Sequence, residues 1–437
     1  MYTKKHLGFS SLIKVFSKVM GALSDKRAMN KSYSVHDTAL CALACMYIQC
    51  PSLLSFQRKL ESRIKRNNLK TQFEIRETPK ESQMREILDD VPCGAYDPIF
   101  KEYLTRLQRG NQLSAYVFEE GAYLLPLDGT QYHYSTHVHC DQCLQQALRN
   151  GKTGYSHKVV QAAIVHPDHK QVIPMRPEEI KNSDGFTKQD CEINAAKRLM
   201  PILKKMHPRL TYIRLGDSLY ATAPFIRETL AQGDHFIFAV KAGDHSTLFE
   251  KMKALDFYRH DEVDEKGRKF IYEWRSSVPL TADEASPKVN IMKLRISTPQ
   301  ADGTNKVSYI GTWITSLNIT NLNVTKLVKG ARCRWRIENE CFNTLKNHGY
   351  KIEHNYGHGE KNLSFVFYIT TLLAFYLHQI LSLTDQLYQA VRQSYVTLKS
   401  TWQHIQSAFN WFVYDSWESM LQHILNPDHY ELQRAGP

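Results

Sequence analysis

The sequence lacks the dense cysteine pattern that marks a small secreted protein. Its nine cysteines are scattered over 437 residues, whereas disulfide-stabilised secreted domains are short and rich in cysteine. Reduced thiols in a cytoplasmic protein are the simpler interpretation. A signal peptide is not expected, because Lys14 and Lys18 interrupt the apolar run from Leu12 to Leu23.

A membrane-spanning helix is also not expected. The candidate, residues 363–377, is followed at once by His378 and Gln379, and its 15 residues fall short of the roughly 18–20 that a span needs. We expect a buried core helix here. The sequence also contains no internal repeat and no low-complexity tract.

Acidic residues are outnumbered by basic ones. The 44 aspartates and glutamates stand against 56 lysines and arginines, a formal net charge of +12. Such an excess favours polyanionic partners, because each neutralised phosphate releases condensed counterions. A basic enzyme that never meets nucleic acid would look the same. Residues 1–70 carry thirteen of the basic side chains against three acids, most densely in residues 58–70.

The spacing of apolar residues predicts a mixed α/β protein. From about Tyr116 the order of expected elements is β-β-β-α-β-α-β, which suits an RNase H-like sheet better than a doubly wound one. The expected regions are a basic helical region (1–115) whose charge suits DNA binding, the first part of the α/β core (116–241), a β-rich insertion (242–319), the second part of the core (320–385) and a helical C-terminal region (386–437).

Two aspartates follow apolar strand-like runs. Asp128 ends the first predicted strand, with Gly129 allowing a turn, and Asp217 ends the fourth. Open α/β sheets place their sites at such strand ends, and carboxylates are the ligands that Mg²⁺ prefers. Each also has a purely structural interpretation, Asp128 as a turn former and Asp217 as a helix N-cap.

A third carboxylate, Glu338, lies in a predicted helix. Arg334, Glu338, Phe342 and Leu345 recur at helical spacing and share one face. The structural alternative is an ordinary Arg–Glu surface pair. Because apolar residues share this face, we expect the Glu338 carboxylate at the margin of the core.

These motifs together resemble the DDE transposases of bacterial insertion sequences that carry a YREK-type signature. LDGT holds the first aspartate, LGDSLYA the second and RWRIENECFNTLK the glutamate, and the likeness covers residues 116–381. The resemblance implies an RNase H-like core and two Mg²⁺ ions (Mn²⁺ can substitute) held by Asp128, Asp217 and Glu338. It also implies that Arg334 and Lys346 contact DNA, and that the chain acts as a homodimer on transposon ends and target DNA.

The sequence departs from the signature in three places. Ala331 stands where the signature has tyrosine, and Leu345 stands where it has lysine, with Lys346 one residue later. Phe342 is likewise one residue late, so one extra residue after Glu338 explains both shifts. A second register, in which Glu340 is the third carboxylate, stays open.

A CxxC pair, Cys140 and Cys143, lies among several histidines (His133, His137, His139 and His157). Two of those histidines could complete a tetrahedral zinc site. With no second CxxC, a plain reduced pair in a loop is the alternative.

The expected function is cleavage and joining of DNA at insertion-sequence ends. Asp128 would be shared between two metals, with Asp217 and Glu338 each completing one. A catalytically inactive, transposase-derived DNA-binding protein and a metal-dependent nuclease are the alternatives. The expected location is the bacterial cytoplasm, at the nucleoid when DNA is bound.

Overall fold

A computed structural model describes residues 5–25, 27, 32–60, 63–182, 189–300, 304–354 and 356–429. Part of the basic run 58–70 therefore lies outside the described residues. The strands are β1 (Tyr123–Ser135), β2 (Leu144–Ala147), β3 (Thr153–His166), β4 (His169–Pro174), β5 (Glu178–Ile180), β6 (Tyr212–Gly216), β7 (His235–Ala239), β8 (Tyr258–Val263), β9 (Lys269–Pro279), β10 (Lys288–Pro299) and β11 (Asn305–Thr315).

Helices dominate both ends of the described chain. They are α1 (Phe9–Gly21), α2 (Val35–Tyr47), α3 (Leu53–Leu60), α4 (Arg63–Phe73), α5 (Glu81–Asp89), α6 (Asp97–Arg109), α7 (Glu192–Met206), α8 (Ala223–Ala231), α9 (Ser246–Lys253), α10 (Val324–Arg332), α11 (Asn343–Asn347), α12 (Leu363–Thr384), α13 (Gln386–Ser394), α14 (Leu398–Trp411) and α15 (Trp417–Leu425).

The central sheet has the strand order β3-β1-β6-β7. Strand β1 pairs antiparallel with β3 and parallel with β6, and β6 pairs parallel with β7. The predicted order of three leading strands, helix, strand, helix, strand is confirmed, with short β2 and β5 added on β3. An α/β fold with an RNase H-like core is therefore the architecture of this chain.

The predicted β-rich insertion continues the same sheet. Strands β9, β10 and β11 pair antiparallel within the insertion, and β11 joins the core through the pairing of Trp313 with Ala239. Helix α9 and strand β8 were not expected. Strand β8 pairs only with β9 among the described residues, and almost all of its side chains are exposed. Buried and exposed residues therefore do not alternate along it, and the sequence pattern that would predict a strand is absent.

The uncharged stretch forms part of α12, at the centre of the protein. This helix is long and apolar enough to cross a membrane, with mean hydropathy 1.6, but 83% of its most apolar window is buried within the protein. Burial of that kind is typical of a core helix. Helix α12 packs against α2 and β4, and α2 is itself buried from Asp37 to Tyr47.

A buried ion pair fixes strand β6 in place. The Arg214 guanidinium is fully buried, and its Nη2 lies 2.7 Å from Asp234 Oδ2. Asp234 also accepts hydrogen bonds from Lys204 Nζ at 3.0 Å and from the backbone N–H of Tyr212 at 3.1 Å. One carboxylate thus ties the end of α7 and the start of β6 to the residue before β7.

Candidate active site

Asp128 lies within β1 and does not end it. The expected turn at Asp128–Gly129 is wrong, because β1 continues to Ser135 alongside its long antiparallel partner β3, where Asp128 pairs with Gln161. On the other side the partner β6 is shorter, and its pairing with β1 ends at Pro126 opposite Leu215. Asp128 therefore lies where parallel pairing stops, the position the strand-end interpretation anticipated.

Asp217 directly follows the last residue of β6. It stands two residues beyond Leu215, as Asp128 stands two residues beyond Pro126, so the two aspartates occupy equivalent positions on adjacent parallel strands. The Asp217 Oδ1 atom accepts a 2.9 Å hydrogen bond from the backbone N–H of Leu219, which shapes the turn into α8.

Glu338 and Asp128 share one guanidinium. Arg334 Nη1 lies 2.7 Å from Glu338 Oε1 and 3.3 Å from Asp128 Oδ2. The side chains are partly enclosed, with exposed fractions of 14% for Arg334, 21% for Asp128 and 32% for Glu338. The Arg–Glu pair is therefore not an isolated surface pair, since it also faces the carboxylate on β1.

The helix that carries Glu338 contains a π-helical turn from Ile337 to Phe342, followed directly by α11. Hydrogen bonds from residue i to i+5 make such a turn hold more residues than an α-helical one, and π-turns occur frequently at functional sites. The one-residue shift of Phe342 and Lys346 seen in the sequence coincides with this turn. The extra residue is accommodated without displacing Ile337, Cys341 or Leu345 from the core.

A fourth carboxylate, Glu192, lies beside these residues in the first turn of α7. Its Oε1 accepts a 2.7 Å hydrogen bond from the Tyr220 hydroxyl. A Cβ atom added to Gly129 would fall 2.2 Å from Glu192 Oε2, so only glycine allows this side chain so close to β1. Glu192 therefore stands between the strand of Asp128 and the segment after Asp217.

The electrostatics of the site reflect crowded negative charge. Burial raises the pKa of Asp128 to about 7; the nearby Arg334 charge opposes this increase, and Glu192 and Glu338 add to it. Burial likewise raises the pKa of Glu192, and the charge of Asp217 contributes. The carboxylates are not drawn tightly together: among the described residues, the donor atoms that all lie within 4.8 Å of one another belong to a separate cluster.

A family model described as a transposase DDE domain matches residues 133–376. The chain belongs to this family of DDE-domain transposases. The match covers more than half of the 437 residues, includes Asp217 and Glu338, and begins shortly after Asp128. No curated protein matches the chain at a significant level.

In this transposase-family chain, Glu340 and Lys346 have surroundings that differ from those of Glu338. Glu340 lines a groove with Lys170, Thr344 and Arg392, whereas Glu338 faces Asp128 through Arg334. Lys346 Nζ lies 2.7 Å from Glu353 Oε1.

Trp335 and Glu192 are two further residues beside the site. Trp335 is half exposed, and Arg334 stacks on its ring at 4.8 Å, so this tryptophan does not fill the core. Sequence reasoning missed Glu192 because an acid in the first turn of a helix is the ordinary partner of the helix dipole. The sequence offered one indication of Glu192, which is its position at the start of the amphipathic pattern that predicts α7.

Proposed function

We propose that this chain cleaves and joins DNA strands at the ends of a bacterial insertion sequence of the YREK type, with Asp128, Asp217 and Glu338 as its catalytic carboxylates. The observation that carries the proposal is the contact of one guanidinium, that of Arg334, with both Asp128 and Glu338, beside the equivalent strand-end position of Asp217 on the adjacent strand. Membership of the transposase family makes strand transfer, rather than hydrolysis alone, the favoured outcome.

The residues present suit divalent metal ions. Carboxylate oxygens are the donors that Mg²⁺ prefers, and the site holds four carboxylates against the single guanidinium of Arg334. Burial raises the pKa of Asp128, and the negative charges of Glu192 and Glu338 raise it further, so a bound cation would stabilise the carboxylate form. Asp128, Asp217 and Glu338 would hold the ions, with Mn²⁺ as a substitute. Two bound ions would activate the attacking oxygen and stabilise the leaving oxygen.

Arg334 and Glu192 would have supporting roles. A guanidinium matches phosphate geometry with two parallel hydrogen bonds, and Arg334 is close enough to the carboxylates to hold a scissile phosphate beside them. Glu192 would position the site by its contact with Tyr220 and Gly129. Lys346, which now pairs with Glu353, would exchange that carboxylate for a DNA phosphate.

The partners we propose are duplex DNA at the transposon ends and at the target, held by two copies of the chain. The charge of +12 supports a polyanionic partner. Lys14, Lys18, Arg58 and Lys70 are exposed in the N-terminal helical region, which makes this region the proposed end-recognition surface.

The test is cleavage of DNA that carries the element's own ends, in Mg²⁺. We expect the wild-type chain to expose a 3′-OH at each end, and Asp128→Asn and Glu338→Gln each to abolish cleavage. Glu340→Gln is the matched control and should cleave normally. Cleavage by both triad variants would overturn the assignment, and a wild-type chain that binds these ends without cutting would favour a repurposed DNA-binding protein.

A further inference from the structure

We propose that Cys140, Cys143, His157 and His358 bind one structural Zn²⁺ ion, at a site separate from the carboxylates. The ligand atoms of these four side chains all lie within 4.8 Å of one another. His358 was not among the histidines that the sequence placed near the CxxC pair, because it lies 215 residues beyond Cys143.

The distances between the donor atoms fit tetrahedral zinc. Zn–S bonds of about 2.3 Å and Zn–N bonds of about 2.05 Å imply about 3.8 Å between sulfurs, 3.6 Å between sulfur and nitrogen, and 3.3 Å between nitrogens. The Cys140 and Cys143 sulfurs are 3.9 Å apart, and the two Nε2 atoms of His157 and His358 are 3.1 Å apart. Cys143 Sγ lies 3.3 Å from His157 Nε2 and 3.4 Å from His358 Nε2.

The separation of the two sulfurs excludes a disulfide. A disulfide would bring the two sulfurs to about 2.05 Å, far closer than they are. The two Nε2 atoms face each other at 3.1 Å, and two neutral imidazoles that present lone pairs at this distance repel each other unless a proton or a cation lies between them. Two thiolates and two imidazoles are the soft and borderline donors that select zinc over Mg²⁺.

The outer ring nitrogens are also arranged as in a metal site. His157 Nδ1 lies 3.2 Å from Glu179 Oε1, and that carboxylate is buried. His358 Nδ1 lies 2.8 Å from the backbone carbonyl of Gly359. A carboxylate or carbonyl on the far nitrogen orients a metal-bound imidazole and directs its other nitrogen to the ion.

The ligands come from three parts of the chain. Cys140 and Cys143 lie in the loop between β1 and β2, His157 lies on β3, and His358 lies in the segment between α11 and α12. That last segment follows the helix of Glu338. It is also held by Asp89, whose carboxylate accepts hydrogen bonds from the N–H groups of residues 360–363. Zinc would therefore fix the chain that leaves the proposed catalytic helix against the sheet.

The direct test is the metal content of the full chain purified without chelators. We expect about one zinc per chain, and loss of that zinc in Cys143→Ser and His358→Gln. Cys191→Ser, at an exposed cysteine, and His133→Gln, whose ring lies 4.5 Å from that of His358, are matched controls and should keep the zinc. Asp217→Asn should keep it too, because that residue belongs to the other site.

Cobalt substitution tests the site in the wild-type chain, so the test does not depend on whether Cys143→Ser and His358→Gln fold. The wild-type chain grown with Co²⁺ should show the visible d–d bands of a tetrahedral ion and a thiolate-to-cobalt charge-transfer band. A wild-type chain without zinc, a disulfide between Cys140 and Cys143, or a cobalt spectrum without the thiolate band would each overturn the proposal.

Discussion

The Tyr220 hydroxyl donates a 2.7 Å hydrogen bond to Glu192 Oε1, and this bond places a fourth carboxylate beside the three that the sequence identifies. Tyr220 is fully buried, and its pKa is raised well above the ordinary value by burial and by the charges of Glu192, Asp128 and Asp217. The phenol therefore stays protonated and acts as a fixed donor.

This arrangement predicts that Glu192→Gln slows DNA cleavage without abolishing it. Groups that orient metal ligands are worth about 10–100-fold in metal affinity or activity, and we expect a decrease in that range, partly reversed by more Mg²⁺. Tyr220→Phe should have a smaller effect in the same direction. Glu265→Gln, at an exposed position between β8 and β9, is the control. Unchanged rates in Glu192→Gln across Mg²⁺ concentrations would contradict a positioning role.

Asp217→Asn should separate DNA cleavage from DNA binding. Asparagine keeps the size of the side chain and its ability to accept the Leu219 N–H, so the turn after β6 is preserved. Loss of a metal ligand removes most of the transition-state stabilisation in phosphoryl transfer. We expect an unchanged dissociation constant for end DNA and no detectable cleavage. Asp256→Asn is the exposed control, and cleavage by Asp217→Asn near the wild-type rate would refute the assignment.

The raised pKa of Asp128 predicts how stability depends on pH without Mg²⁺. Its carboxyl has a pKa of about 7 in the fold and about 3.9 when unfolded. Because the fold favours the protonated carboxyl, the stability that this group contributes is fully present below about pH 4. It is lost as the pH rises to 7, since the unfolded chain releases its proton first. Asp128→Asn should abolish this loss, which we expect to be on the order of 1–3 kcal/mol. Urea unfolding at pH 5 and pH 8 measures it, and equal pH dependence in both proteins would count against a crowded carboxylate.

The N-terminal basic surface is best tested by substitution rather than by truncation. Helix α2 lies within residues 1–70 and packs on α12, so truncation would expose the core. Neutralising Lys14, Lys18, Arg58 and Lys70 to glutamine should weaken binding of end DNA. If each contacts one phosphate, the slope of log K against log salt falls in magnitude by roughly 3.6.

The control for this salt dependence is a variant in which lysines of the β-rich insertion are neutralised instead. Lys266, Lys288 and Lys306 are exposed there. Glutamine at these three positions should leave the slope near the wild-type value. A slope that responds to the insertion and not to the N-terminal helices would move the DNA-binding surface to the extended sheet.

Much of the fold was predictable because the core strands and helices have strong apolar periodicity. Apolar runs also located Asp217 correctly after β6. Asp128 was placed within the wrong local structure, because the Asp–Gly pair that usually signals a turn here permits the approach of Glu192. The chain continues as a strand beyond Asp128 because β1 pairs with β3, and no local sequence pattern predicts that pairing.

The features that could not be predicted from the sequence depend on contacts between residues far apart in the chain. Glu192 gains its position from Tyr220 and Gly129, and His358 reaches the CxxC pair only through the fold. The π-helical turn could be predicted only in part. The one-residue shift of Phe342 and Lys346 from the family signature indicates an extra residue after Glu338, but only the structure shows that a π-helical turn accommodates it.

The most direct test of the central claim is a strand-transfer assay with pre-cut DNA ends. Wild-type chain, Mg²⁺, duplexes that end in the element's own 3′-OH and a target plasmid should give joined products, in which the end DNA is covalently linked to the target. Glu340→Gln should join normally and Glu338→Gln should not. Joining by Glu338→Gln would contradict the proposed carboxylate set, and hydrolysis of the ends by the wild-type chain without any joined product would show a nuclease rather than a transposase.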